Sequence, residues 1–171
     1  FEYDIFIGYS TKRLKSVVLK SINGGTPASK NQEFYTNGTI DWITTKTLNL
    51  DYTYKGEKLI TLDAIENSAA KILLKGNILA GTRVGVGKFS INMVDISFSQ
   101  DITGLYINAE IIDIEYLLFQ LNSYVFQNKL KPLLRGTTIK GILKDDLLNQ
   151  TIQMPPIESQ KEIAHIIKHI K

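Results

Sequence analysis

Apolar residues recur at i, i+3, i+4 and i+7 in two stretches of this chain, and each repeat predicts a helix with one buried face. In the first, Ile114, Leu117, Leu118, Leu121 and Val125 form a stripe behind Asp113, a good N-cap, with Pro132 just past the end. Asp113 and Glu115 at its start and Lys129 and Lys131 at its end suit the helix dipole, so this is expected to be the longest helix and core scaffold. In the second, Ile163, Ile166, Ile167 and Ile170 follow Pro155-Pro156, and the stripe is still running at Lys171. That helix is expected to leave the domain and lay its isoleucines on a partner helix. Between these repeats and before them the pattern is shorter. Ile40 to Thr44, Ile78 to Ala80, Lys88 to Ile91 and Ile96 to Phe98 predict strands, the last three as a meander, and Thr151 to Met154 is a short strand stopped by the prolines. Phe1 to Tyr9 alternates as an edge strand does, Lys15 to Ile22 is a short apolar element ended by Asn23-Gly24-Gly25, and Thr61 caps a short helix to about Ala70. Strands precede the first long helix in a run. The expected fold is therefore α+β: one globular domain over 1–156 with a mixed or antiparallel sheet, a long core helix, and a C-terminal connecting helix beginning at 157–171.

Composition narrows the class. A length of 171 residues suits one domain with a real core, and 43% hydrophobic with 22% charged residues is the balance of a soluble globule. The absence of cysteine excludes disulfides and thiolate metal sites. No apolar run approaches the ~18 residues of a membrane span. Glu2 and Asp4 stand where a signal peptide is basic, so a cytoplasmic location and no membrane partner are expected. Beginning at Phe1 and ending within a helix, the chain is expected to be a fragment of something longer.

The net charge of +3 understates how the charges are distributed. Three acid-free blocks hold most of the Lys and Arg: Lys12 to Lys30, Lys71 to Lys88, and Lys129 to Lys144. From Asp95 to Glu115 the sign reverses, with no Lys or Arg. If folding brings the basic blocks together, one face suits a phosphate backbone and an acidic side is turned away. Scattered solvated lysines are the plainer use of such runs.

Several chemistries are excluded by one missing residue. Gly81-Thr82-Arg83-Val84-Gly85-Val86-Gly87-Lys88-Phe89 resembles a nucleotide-binding phosphate loop, but Thr82 replaces the first glycine and Phe89 the hydroxyl that would hold magnesium. No Lys has an acid two positions before it, as metal-dependent nucleases need. Met154-Pro155-Pro156-Ile157 has the prolines of an adenine methyltransferase motif without its polar and aromatic groups. His165 and His169 are spaced as in a zinc helix, but Ile166 stands where its glutamate belongs and no third histidine exists, so no metal or cofactor is expected. Leu133-Leu134-Arg135-Gly136-Thr137-Thr138-Ile139 reads instead as a basic turn able to hold a phosphate, since Gly136 frees the backbone beside Arg135 and the threonines offer hydroxyls.

That turn, the short strand, Pro155-Pro156-Ile157-Glu158-Ser159-Gln160 and Ile163-Ala164-His165-Ile166-Ile167, in this order, resemble the distal conserved region of target recognition domains from DNA specificity subunits of type I restriction-modification systems. Upstream, Gly24-Gly25-Thr26-Pro27, Ile40-Asp41-Trp42-Ile43, Ile65 to Lys71, Thr82 to Lys88 and Phe98-Ser99-Gln100 follow in the family's order, so the resemblance covers about Leu14 to Ile170. Ser159 departs from it where the family commonly has glutamate. The resemblance implies a non-catalytic reader of one half of a bipartite duplex DNA site. Its implied partners are methyltransferase subunits, a restriction subunit, and a second recognition domain joined through the C-terminal helix. Phosphate contacts are then expected from Lys30, Lys46, Arg83, Lys88, Arg135 and Lys140, and base reading from Tyr35, Thr44, Thr45, Gln100, Thr137 and Thr138. Partner docking is expected on Ile163, Ile166, Ile167 and Ile170. Two alternatives share the basic face: a protein-interaction module for an acidic partner, and a metal-free enzyme holding a phosphorylated ligand at Gly85-Gly87.

Overall fold

The computed structural model describes residues 8–48 and 51–171. The edge strand expected over Phe1 to Tyr9 falls almost wholly outside them. In chain order the elements are β1 (Thr11–Arg13), β2 (Val18–Asn23), β3 (Ile40–Ile43), β4 (Asp51–Thr53), β5 (Lys58–Ile60), α1 (Leu62–Glu66), β6 (Ile72–Leu73), β7 (Ile78–Gly81), β8 (Phe89–Asn92) and β9 (Ile96–Phe98). Then follow β10 (Ile102–Ile107), α2 (Ile114–Leu121), α3 (Tyr124–Leu130), α4 (Lys144–Leu148), β11 (Thr151–Gln153) and α5 (Ile157–Ile170). They form a five-stranded sheet in the order β2-β10-β7-β8-β4, a four-stranded sheet in the order β5-β3-β9-β6, and the ribbon β1-β11. Each of the larger sheets is mixed: β4 runs parallel to β8 and β3 parallel to β9, while the other pairings are antiparallel. The α+β architecture with a mixed sheet is thus the one the sequence predicts.

Alternation along the strands explains the layering. In β7, Ile78 and Ala80 face the helices while Leu79 faces the second sheet; in β3, Ile43 faces the first sheet and Trp42 the far side. Such double-sided burial is what a central strand with few polar positions requires. The largest core packs Phe89, Leu105, Tyr116, Leu117 and Phe126 between the five-stranded sheet and the helices, and a second packs Leu73, Leu79, Ile96 and Phe98 between the sheets. Complete burial of Phe89 and Phe98 contributes about 1.5–3 kcal/mol each.

Two expectations are overturned, and one strand is found that the sequence pattern did not predict. The meander stops at the β7-β8 hairpin, because β9 crosses to the other sheet and pairs with β3 and β6. The interior strand β10, paired with both β2 and β7, lies inside the acidic stretch, where Gly104 hides it from propensity; a Cβ there would lie 2.9 Å from Phe98 Cζ of the other sheet, so glycine favours the close approach of the two sheets. The helix after Asp113 is not the longest. It breaks at Asn122, whose amide donates to Asp51 and to the Phe89 carbonyl, and Ser123 Oγ caps a new helix by accepting from Phe126.

Buried amides complete the scaffold. Asn92 is fully buried and its Nδ2 donates to the carbonyls of Leu73, Leu74 and Val94, while its Oδ1 accepts from Asn77. Gln120 pairs with both backbone groups of Gln153, standing in for a missing neighbour strand of β11. Gln160, the last residue of the proline motif, donates to Pro155 and accepts the Asp113 N–H, clamping the start of α5 to the start of α2. With Lys168 on Glu115 and Lys171 on Asp51, α5 lies along the domain rather than departing from it. Its stripe is divided: Ile167 is 7% exposed in the core and Ile163 half-buried against it, whereas Ile166 and Ile170 remain exposed.

Candidate nucleic-acid interface

Four loops from distant parts of the sequence meet on one rim. Arg135 and Gly141 exchange backbone hydrogen bonds of 2.8 and 2.9 Å, closing the turn that holds Thr137, Thr138 and Lys140 at its exposed tip. Gly136 makes this turn possible, since its φ of +110° and an ideal Cβ 2.1 Å from the Ile139 carbonyl exclude any side chain. The turn is joined to the glycine-rich loop between β7 and β8: Val84 N–H donates to the Lys140 carbonyl at 3.1 Å, and Ile142 N–H to that of Thr82 at 2.9 Å. That loop is joined in turn to the β9-β10 connection, where the amides of Thr82 and Arg83 both donate to the Asp101 carbonyl. Lys88 Nζ donates to the Thr45 carbonyl at 2.9 Å, bringing in the loop after β3.

The electrostatics of the rim are not those of free cations. Arg83 Nε lies 3.6 Å from Asp101 and Arg135 Nη2 3.1 Å from Asp146, with the guanidinium side chains 56% and 66% exposed. A guanidinium has five donors in a fixed fork, so each carboxylate orients one edge and leaves the rest facing solvent. As stability, exposed pairs of this kind contribute only ~0–1 kcal/mol each. Asp101 belongs to the acidic stretch expected to turn away; instead it sits among the basic loops and holds Arg83.

Several expected contact residues have other duties. Thr45 is 4% exposed and packs under Gly85, so its side chain cannot meet a base edge. Lys88 is half-buried, its ammonium tying two loops together rather than reaching out to a phosphate. Thr44 shares Glu57 with Thr47, at 3.3 and 2.9 Å, which orients both hydroxyls. Tyr35 is half-buried; its hydroxyl, pushed above its ordinary pKa by burial, donates to the Pro27 carbonyl and props the Gly24–Lys30 loop. Gln100 is exposed and accepts from Thr26, joining the Gly24-Gly25-Thr26-Pro27 motif to the β9-β10 connection. Lys46 is exposed beside Thr44, and Lys30 is exposed at the end of the propped loop. Glu57, Asp101 and Asp146, which hold Thr44, Arg83 and Arg135 respectively, carry no signal in sequence beyond their charge. Among the described residues no group of three or more His, Cys, Asp or Glu is placed to hold a metal, and no helix is long and apolar enough to cross a membrane.

A mixed-sheet scaffold thus collects outward arginines, threonines and a glycine turn on one rim. The chain belongs to the family described as Type I restriction modification DNA specificity domain, whose family model matches residues 7–171. It is 27% identical over 164 residues to the type I restriction enzyme MjaIX specificity subunit of Methanocaldococcus jannaschii, covering 94% of this chain and 37% of that protein. It is 24% identical over 152 residues to the EcoR124I/EcoR124II specificity subunit of Escherichia coli, covering 86% of this chain and 37% of that one. The fold matches the crystal structure of the S subunit of a type I system from M. genitalium with a TM-score of 0.70 at 16% identity, covering 98% of this chain and 40% of that one. The chain therefore spans well under half the length of these proteins.

Proposed function

We propose that this domain reads one half of a bipartite double-stranded DNA target and, without catalysis of its own, directs methylation and cleavage by methyltransferase and restriction subunits in the cytoplasm. The observation that carries it is the rim itself: Arg83, Arg135 and Lys140 stand exposed on loops bonded to one another, with Thr137, Thr138 and Gln100 beside them. Cations position the phosphate backbone and polar side chains read base edges, so the two kinds of residue have to be interleaved. Lys30 and Lys46 extend the phosphate contacts, and Thr44 is available for a base once Glu57 has oriented it. The exposed Ile166 and Ile170 on α5 are the surface proposed to meet a second recognition domain. Binding of the assembled full-length protein to its target duplex, measured against salt, tests this: affinity is expected to fall steeply with salt. An affinity indifferent to DNA would overturn it.

A further inference from the structure

We propose that Val84 and Ile139 form an apolar contact for the 5-methyl group of thymine in the major groove, a proposal that rests on the DNA-reading function above. Both side chains are exposed, at 63% and 49%, although Arg83 beside Val84 and Thr138 and Lys140 beside Ile139 are cationic or polar. The bond from Val84 N–H to the carbonyl of Lys140, the residue after Ile139, holds their two loops side by side. Val84 has a φ of +60°, a left-handed conformation that β-branched residues rarely adopt. Glycine would adopt it freely, as Gly87 does in the same loop at +90°. Strain of this kind persists where surrounding bonds over-determine it, and here the Lys140 carbonyl does so while the valine projects outward. Two apolar side chains gain nothing from phosphates. In the major groove, the apolar group that distinguishes one base pair from another is the thymine methyl, and exposed cations for the backbone stand close in sequence to the pair: Arg83 immediately precedes Val84, and Arg135 opens the turn that holds Ile139.

The test uses the full-length protein carrying this chain, assembled with its methyltransferase subunits, on a target half-site found by selection. Each thymine is replaced in turn by deoxyuridine, which lacks the methyl, and affinity is measured for the wild type and for Val84→Ala/Ile139→Ala. At one thymine the wild type is expected to lose about fourfold, the worth of one buried methyl, while the double variant loses nothing there and keeps its preference elsewhere. If no thymine is sensitive in the wild type, or the variant is equally sensitive, the contact does not exist. A wild type that selects no sequence overturns the DNA-reading function and this contact with it, whereas normal selection with insensitive thymines overturns this contact alone.

Discussion

The backbone N–H of Val84 donates to the carbonyl of Lys140 at 3.1 Å, tying the glycine-rich loop ahead of β8 to the threonine turn ahead of α4. Two segments far apart in sequence thereby become one surface. Because the bond is between backbones, the surface survives changes of the side chains that it presents.

Arg83→Ala and Arg135→Ala are expected to weaken binding to target and non-target duplexes alike. Each removes one outward guanidinium, so the slope of log affinity against log salt falls by about 1 per substitution. Folding stability is expected to change by less than about 1 kcal/mol, since both pairs are exposed. Titrations at several salt concentrations, with denaturant melts alongside, measure both quantities.

Substitution of the polar tip acts differently. Thr137→Ala/Thr138→Ala and Gln100→Ala are each expected to relax preference at one or two base pairs, at a cost of about 1–3 kcal/mol against the correct base, with the salt slope unchanged. Equal effects on all sequences would reassign these side chains to the backbone.

Asn92→Ala tests the scaffold beneath the rim. It leaves the carbonyls of Leu73, Leu74 and Val94 and the Asn77 N–H without this partner in a buried or part-buried place, so a loss of about 2 kcal/mol is expected. In a chain of this size that lowers the melting midpoint by roughly 4–8 °C, which calorimetry reads directly.

Along α5, neighbouring isoleucines are expected to give opposite results. Ile167→Glu buries a charge in the core and unfolds or severely destabilises the domain, while Ile166→Glu leaves the fold intact and weakens pairing with a partner helix. Circular dichroism separates these outcomes from the assembly state measured by light scattering.

The periodic elements were legible in sequence and the long-range ones were not. Asp113 as a cap, β3, β7 and β8 announced themselves through local pattern and end signals. The interior strand β10 did not, because Gly104 is there for the neighbouring sheet, and the break at Asn122 depends on Asp51 and Phe89, which only folding brings near. The same holds at the rim. Arg83 and Arg135 could be singled out as cations beside glycines, but the burial of Thr45, the inward turn of Lys88 and the pairing of Asp101 with Arg83 are products of tertiary contact. Ile167 shows the limit of periodicity: a stripe reveals that a face will be covered, not by what.

The most direct test of the account is selection from a random duplex pool by the assembled full-length protein, run in parallel with Thr137→Ala/Thr138→Ala. A two-part consensus in the wild type, loosened within one part only by the variant, is the predicted result. Recovery of sequences sharing no motif, or an identical motif from both proteins, would contradict it.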